Sequence, residues 1–227
     1  DNNIYPITLN PGQSISFSVT FSPISLGVKS AFLRVLSSTI PQSVINVPLS
    51  GVCVSPFIAT FPYVQNFETN MFPPNGWLSQ QVTGIGLFKR VSLGVYPTVT
   101  PKSGIGMLQF ESYIYPSNTS AIMITPPIDF APSQLYQVRF WMYRDSVYSQ
   151  NMDRFSLFYN SSASLEGADS IGNIYRNKNQ EPFVQSSGWN EYFFDLPVTV
   201  AGNRGYLLFK GVSDYGNNII LIALLFR

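Results

Sequence analysis

Residues 216–227 read GNNIILIALLFR, with eight consecutive apolar side chains from Ile219 to Phe226 ahead of Arg227. A membrane-spanning helix needs about 20 such residues, so this segment is expected not to insert as a transmembrane helix. A short continuous apolar run fits a strand covered on both faces. Strict alternation then puts Ile219, Leu221, Ala223 and Leu225 on one side, and Ile220, Ile222, Leu224 and Phe226 on the other. The stretch predicts a central strand in a two-layer β protein.

The rest of the chain agrees with that reading. In YQVRFWMY (136–143), Tyr136, Val138, Phe140 and Met142 alternate with Gln137, Arg139, Trp141 and Tyr143, one face apolar and the other polar to aromatic. SISFSVTFSP (14–23) alternates as strictly, which predicts a half-buried antiparallel strand with Ile15, Phe17, Val19 and Phe21 inward. KSAFLRVLSS and SVINVPLSGVCV follow as strands, with a turn at SPISLG between the first two. Further strands are expected in segments 104–115, 120–130, 135–145, 153–162, 189–197 and 204–213, and the stretch SASLEGADSIGNIYRNKNQEPFVQSSG reads as a long surface loop. Short Val-, Ile-, Phe- and Tyr-rich runs broken by Pro, Gly, Asn and Ser mark an all-β sandwich or jelly roll. SPFIATFPYVQNFE, with Pro56 and Pro62, marks a junction near Ser55–Thr60.

Composition narrows the function. The 227 residues are 45% hydrophobic and 15% aromatic, enough for a sizeable core. Charged residues are 11%, against roughly 25% in an ordinary soluble domain, and Ser, Thr, Asn and Gln replace them. Such an uncharged polar surface suits extracellular adhesins, carbohydrate-contacting proteins and packed assemblies. Net charge is +1 without a basic cluster, which argues against nucleic-acid binding. The absence of histidine excludes Ser-His-Asp and Cys-His catalysis and His-ligated metals. The single Cys53 forms no internal disulfide and reads as a buried small hydrophobe, with a reactive thiol as the alternative.

Two resemblances follow. ITLNPGQSISFSVTFSPISLGVKSAFLRV…INVPLSGVC, within residues 1–55, resembles the second half of an immunoglobulin-like repeat of the ASH and choice-of-anchor D type. The strands that precede Ile7 in such a repeat are not in this sequence; the expectation is that a longer chain or a second subunit supplies them, the latter by donor-strand complementation. Residues 56–227 resemble the cleaved-adhesin or choice-of-anchor J domain, a MAM-like jelly roll. The marks are QNFETNMFPPNGW, ITPPIDF, VRFWMY, DRFSLFYNSS, GWNEYFFDLP and YLLFKGVSDYGNNI, in family order. The resemblance implies an all-β chain, a partial immunoglobulin-like sandwich followed by a jelly-roll sandwich. It also implies a non-catalytic adhesive or structural module, extracellular or on a cell surface, or a subunit of a filament. Its partners are then other subunits, or a host or cell-surface protein or glycan. The alternatives are a carbohydrate-binding module and an accessory domain of a secreted hydrolase.

The family often holds a structural calcium with an acidic residue in the last strand, where this chain has Ile222 and Ala223. The expectation is therefore no cofactor, or a structural calcium near Glu68, Asp153, Asp214 and Asn217. Candidates for a hydrolytic carboxylate pair are Glu68, Glu111, Asp145, Asp153, Glu181 and Asp214, and their spacing singles out no two. Tyr113, Tyr115, Trp141, Tyr143 and Tyr148 are candidates for stacking on a ligand. Trp77 and Trp189 are expected to cover the ends of the sandwich. Asn118 in NTS and Asn160 in NSS fit the N-glycosylation pattern where the source permits it.

Overall fold

A computed structural model describes residues 6–23, 27–38, 44–53 and 57–227. The chain divides into two compact units, Asp1–Ser55 and Pro56–Arg227. The expected turn at 22–27 and the junction at 55–60 fall partly on residues 24–26 and 54–56, outside the described residues.

In the first unit, β1 (Gly27–Leu36) pairs antiparallel with β2 (Val44–Cys53) in one unbroken register, Gly27 opposite Cys53 and Leu36 opposite Val44. Cys53 is half-buried rather than buried, because it sits at the end of this ladder. The strand expected over residues 14–23 does not form, and Ile15, Phe17, Val19 and Phe21 are exposed. Alternation is a local property, whereas a strand also needs a partner edge for its N–H and C=O groups, and no ladder reaches this segment among the described residues. The Phe21 ring does lie over Gly51 of β2, where a Cβ would come within 2.7 Å of it.

The second unit is a β-sandwich. Its strands are β3 (Tyr63–Gln65), β4 (Leu78–Thr83), β5 (Phe88–Val91), β6 (Met107–Phe110), β7 (Ser120–Ile124), β8 (Ile128–Asp129), β9 (Gln137–Arg144), β10 (Arg154–Asn160), β11 (Asp169–Tyr175), β12 (Gly188–Asp195), β13 (Arg204–Val212) and β14 (Ile219–Phe226). One antiparallel sheet runs β11-β10-β13-β7-β4, with β8 on β13; the other runs β12-β9-β14-β6-β5, with β3 on β14. The stretch read as a long surface loop thus contributes the edge strand β11, which pairs with β10. Its polar, Gly-containing sequence suits an edge that is only half covered.

Between the sheets lies an aromatic core. Phe140 of β9 meets Phe155 of β10 edge-on at 5.3 Å, and Phe209 of β13 stacks on Phe226 of β14 at 6.2 Å. Trp77 is part of this core, stacked on Phe209 and donating its indole N–H to the Tyr63 hydroxyl, and so does not cap an end of the sandwich. Trp189 packs edge-on against Tyr143 and donates to the Thr100 carbonyl.

β14 is central, and it is covered on both sides. Ile219, Leu221, Leu224 and Phe226 point into the main core, while Ile220 packs outward with Val99 and Met107 under the segment between β5 and β6. The expected parity therefore fails halfway along. Ile222 faces Trp141 and Leu225 faces Arg139, so β14 holds one residue more than β9 between those pairs. Ala223 sits at this bulge with φ 54°, and Leu224 and Phe226 turn inward where strict alternation would have put Leu225. An L-residue in that region costs roughly 1–2 kcal/mol. Ala223→Gly is accordingly expected to stabilise the protein by about 1 kcal/mol, a rise in Tm of about 2–4 °C, and Ala223→Val to lower it. Thermal melts of the two variants check this; a lower Tm for the glycine variant would show that the left-handed backbone is not strained.

Candidate functional site

At one end of the sandwich, loops from both sheets converge. Tyr96 comes from the β5–β6 connection, Tyr113 from a 3-10 turn (Ser112–Ile114) between β6 and β7, Tyr148 from the β9–β10 loop and Asn217 from the β13–β14 loop. The Tyr96 and Tyr113 rings stack nearly parallel, centroids 3.9 Å apart, and Tyr148 is tilted against Tyr113 at 6.2 Å. A cleft of 540 Å³ opens here, lined by residues 95–98, Val147, Tyr148 and Asn217, none of them charged. Tyr96 is 53% exposed and Tyr148 44%. The hydrogen bond with the neighbouring Tyr148 hydroxyl raises the Tyr113 phenol above its ordinary pKa.

Tyr96 and Tyr148 both have φ 51°, and Tyr215 in the β13–β14 loop has φ 62°. Non-glycine residues enter this region only where the surroundings hold them there. Two buried polar groups do so. Asn218 donates its backbone N–H to the Tyr96 carbonyl (2.6 Å) and its amide to Val95 O (2.7 Å), while its Oδ1 accepts the Tyr113 N–H (3.0 Å). Arg176, with no exposed side-chain surface, donates to the carbonyls of Val147 (2.9 Å) and Tyr148 (3.3 Å). Asp145 Oδ1 accepts from the same guanidinium at 2.7 Å and from the Val147 N–H at 2.8 Å.

The next layer is anchored by Arg144. Its guanidinium is fully buried and donates to the carbonyls of Arg176, Asn177, Gln180 and Pro182 and to the Tyr192 hydroxyl. Burial pushes this guanidinium below its usual pKa, with Tyr192 pulling the other way. Saturating its donors is what makes a buried charge tolerable.

The structure sorts the candidate aromatics into three places. Tyr148 lines the cleft, and Tyr113 supports it from outside the lining, stacked on Tyr96 and tilted against Tyr148. Tyr115 leans on Phe110 at the edge of the core. Trp141 and Tyr143 lie on the outer face of β9, where Lys102 Nζ sits 3.9 Å from the Trp141 ring centre. There Trp141 lines a 180 Å³ hollow with Arg139, Glu191, Ala223 and Leu225, opened by the β14 bulge. Tyr96 is the cleft residue that sequence reasoning passed over. Its only local signal is a Tyr-Pro pair inside a Gly- and Pro-punctuated turn.

The residues proposed for calcium lie in two separate places, Asp153, Asp214 and Asn217 near the loop end and Glu68 beside Ile105 and Gly106. Asp153 Oδ1 accepts the N–H groups of Asp214 (2.7 Å) and Gly216 (3.1 Å), and its Oδ2 faces Arg176 Nε at 3.7 Å. Asp214 is bonded to Ser117 and to the Met152 N–H, and Asn217 donates to Asp145 at 3.3 Å. Glu68 lies apart from these, accepting from the N–H groups of Ile105 and Gly106. Among the described residues no three acidic side chains converge on one point. The Arg176 guanidinium supplies positive charge beside Asp145 and Asp153, whereas calcium prefers about six to eight oxygen ligands. Adding a chelator is therefore expected to leave Tm unchanged, and a fall of several degrees would show that a bound cation is needed after all.

The carboxylate-pair candidates are mostly committed too. Glu111 pairs with Lys89, Asp145 with Arg176, and Glu68, Asp153 and Asp214 with backbone N–H groups. Of the two sequons, Asn118 is exposed, whereas the Asn160 amide donates to the carbonyls of Ser164 (2.7 Å) and Glu166 (2.8 Å). A sugar on Asn160 would cost at least one of those bonds.

No family model matches this chain, and neither does any curated protein. Solved structures do resemble it. The K1 cleaved adhesin domain of Lys-gingipain from Porphyromonas gingivalis W83 is 16% identical with a TM-score of 0.56, over 74% of this chain and 98% of that one. The K2 cleaved adhesin domain of Lys-gingipain is 16% identical with a TM-score of 0.52, over 74% and 98%. The K3 domain from the same organism is 16% identical at 0.50, over 73% and 98%. The shared property is the fold, an adhesin-like β-sandwich.

Proposed function

We propose that this chain is a non-catalytic adhesion module that works outside the cell, contacting a cell-surface protein or glycan or a neighbouring subunit. On this reading residues 1–55 are the second half of an immunoglobulin-like repeat, and residues 56–227 are a MAM-like jelly roll that presents the binding surface. The observation that carries it is the cleft at the loop end, where tyrosines from three separate loops meet on a rigid sandwich without an ionised group in the lining. Five of the six acids considered for hydrolysis are held in ion pairs or by backbone N–H groups, which supports binding over turnover. The adhesin-like sandwich is in keeping with this, and no helix among the described residues is long and apolar enough to cross a membrane.

The experiment is a binding isotherm of the fluorescently labelled protein on intact cells and on extracellular matrix. The expected result is saturable binding that excess unlabelled protein displaces. Absence of saturable binding, or release of new reducing ends or amines from polysaccharide or protein substrates, would overturn the reading.

A further inference from the structure

We infer that the tyrosine cleft binds an uncharged pyranose sugar, held between Tyr96 and Tyr148 and hydrogen-bonded to Asn217. This rests on the adhesive reading above and specifies its ligand. The volume, 540 Å³, lies within the range of about 300–1,000 Å³ usual for small-molecule sites. The stack with Tyr113 leaves Tyr96 more than half exposed, and an exposed tyrosine offers a flat apolar face beside a polar edge. A pyranose ring matches this, with C–H groups on its faces and hydroxyls around its rim.

Asn217 decides between ligand classes. It lines the cleft, is only 5% exposed, and its Nδ2 is committed to Asp145 Oδ2. Its Oδ1 meets no donor among the described residues. That oxygen is unbonded but not sealed off, so it is open to solvent at the cleft, where a ligand donor can take the place of water. A sugar hydroxyl is such a donor. A proline-rich peptide, the other ligand that favours aromatic grooves, lacks N–H groups at its prolines and offers that oxygen fewer donors than a sugar rim does. Charged sugars and acidic or basic peptides find no counter-charge in the lining.

The test uses an array of immobilised neutral oligosaccharides of gluco, galacto and manno configuration, with a proline-rich peptide on the same surface. The proteins compared are the wild type and Tyr148→Gly. Glycine adopts φ near 51° freely, so the substitution removes one wall without opposing the loop's backbone. The expected result is wild-type retention on at least one neutral glycan, reduced at least tenfold in Tyr148→Gly at unchanged or higher Tm. Should that variant unfold, titration of the wild type with the retained glycan is followed by NMR, where the tyrosine ring signals of the cleft must shift. Retention that is insensitive to Tyr148→Gly, ring signals that do not move, or capture of the peptide in place of every glycan would overturn the inference. Saturable binding to cells without any glycan retention would overturn it while leaving the adhesive reading standing.

Discussion

Arg176→Met is expected to destabilise the protein by roughly 3–5 kcal/mol, the cost of stranding a buried charge whose partner has been removed. Arg176 is completely enclosed and faces two carboxylates, Asp145 at 2.7 Å and Asp153 at 3.7 Å. Methionine preserves the bulk but leaves both acids in a site from which water is largely excluded. The remaining donors near them are the N–H groups of Val147, Asp214 and Gly216 and the Asn217 amide, which do not cancel two negative charges. Lysine is expected to recover little, since one ammonium cannot span the two acids and the Val147 and Tyr148 carbonyls that the planar guanidinium reaches. Adding Asp153→Asn to Arg176→Met removes one of the stranded charges, so the double variant should be more stable than Arg176→Met alone. Chemical denaturation of the single and double variants measures this. A loss below about 1 kcal/mol, the level of a solvent-exposed pair, would mean that water reaches the site and that the network does not hold the loop end. The same carbonyls belong to the residues that wall the cleft, so the Arg176 variant should also weaken ligand retention.

Phe209→Ala is expected to cost about 3–5 kcal/mol, the range for emptying a large aromatic site in a packed core. Phe209 lies at 0% exposure between the sheets, stacked on Trp77 at 6.0 Å, Phe155 at 5.9 Å and Phe226 at 6.2 Å. Its removal deprives three rings of a neighbour at once. The strand that carries it is fixed on both edges, by β10 and by β7, and cannot slide to close the space. Phe209→Leu, which refills most of the volume, should recover a large part of the loss. Calorimetry of the two variants is the check. An alanine variant within about 1.5 kcal/mol of the wild type would show that the sandwich collapses around the gap.

Several features of the protein follow from local sequence alone. The all-β class rests on period-two alternation, which every strand residue expresses by pointing opposite to its neighbour. β9 obeys it along its whole length, with Val138, Phe140 and Met142 buried and Trp141 outward. The apolar run at 219–226 announces a strand covered on both faces, and β14 is one. Pairing and convergence are not local. Residues 14–23 alternate as well as β9 does, yet form no strand, because a ladder also requires an adjacent edge at the right distance. The parity of β14 reverses at Ala223 because β9 opposite it is one residue shorter between the flanking pairs, and the sequence of β14 does not contain that count. Tyr113 and Tyr148 meet because the order β9-β14-β6 sets their loops side by side, and Tyr96 joins them because the connection that leaves β5 at Val91, opposite Met107, folds back over the outer face of β14, where Val99 packs on Ile220. Arg176 comes to the same place only through the edge strand β11. Side-chain direction is set residue by residue along the backbone, whereas the cleft and its buried supports are set by which strand lies beside which, and in this protein that order was decided by the tertiary fold.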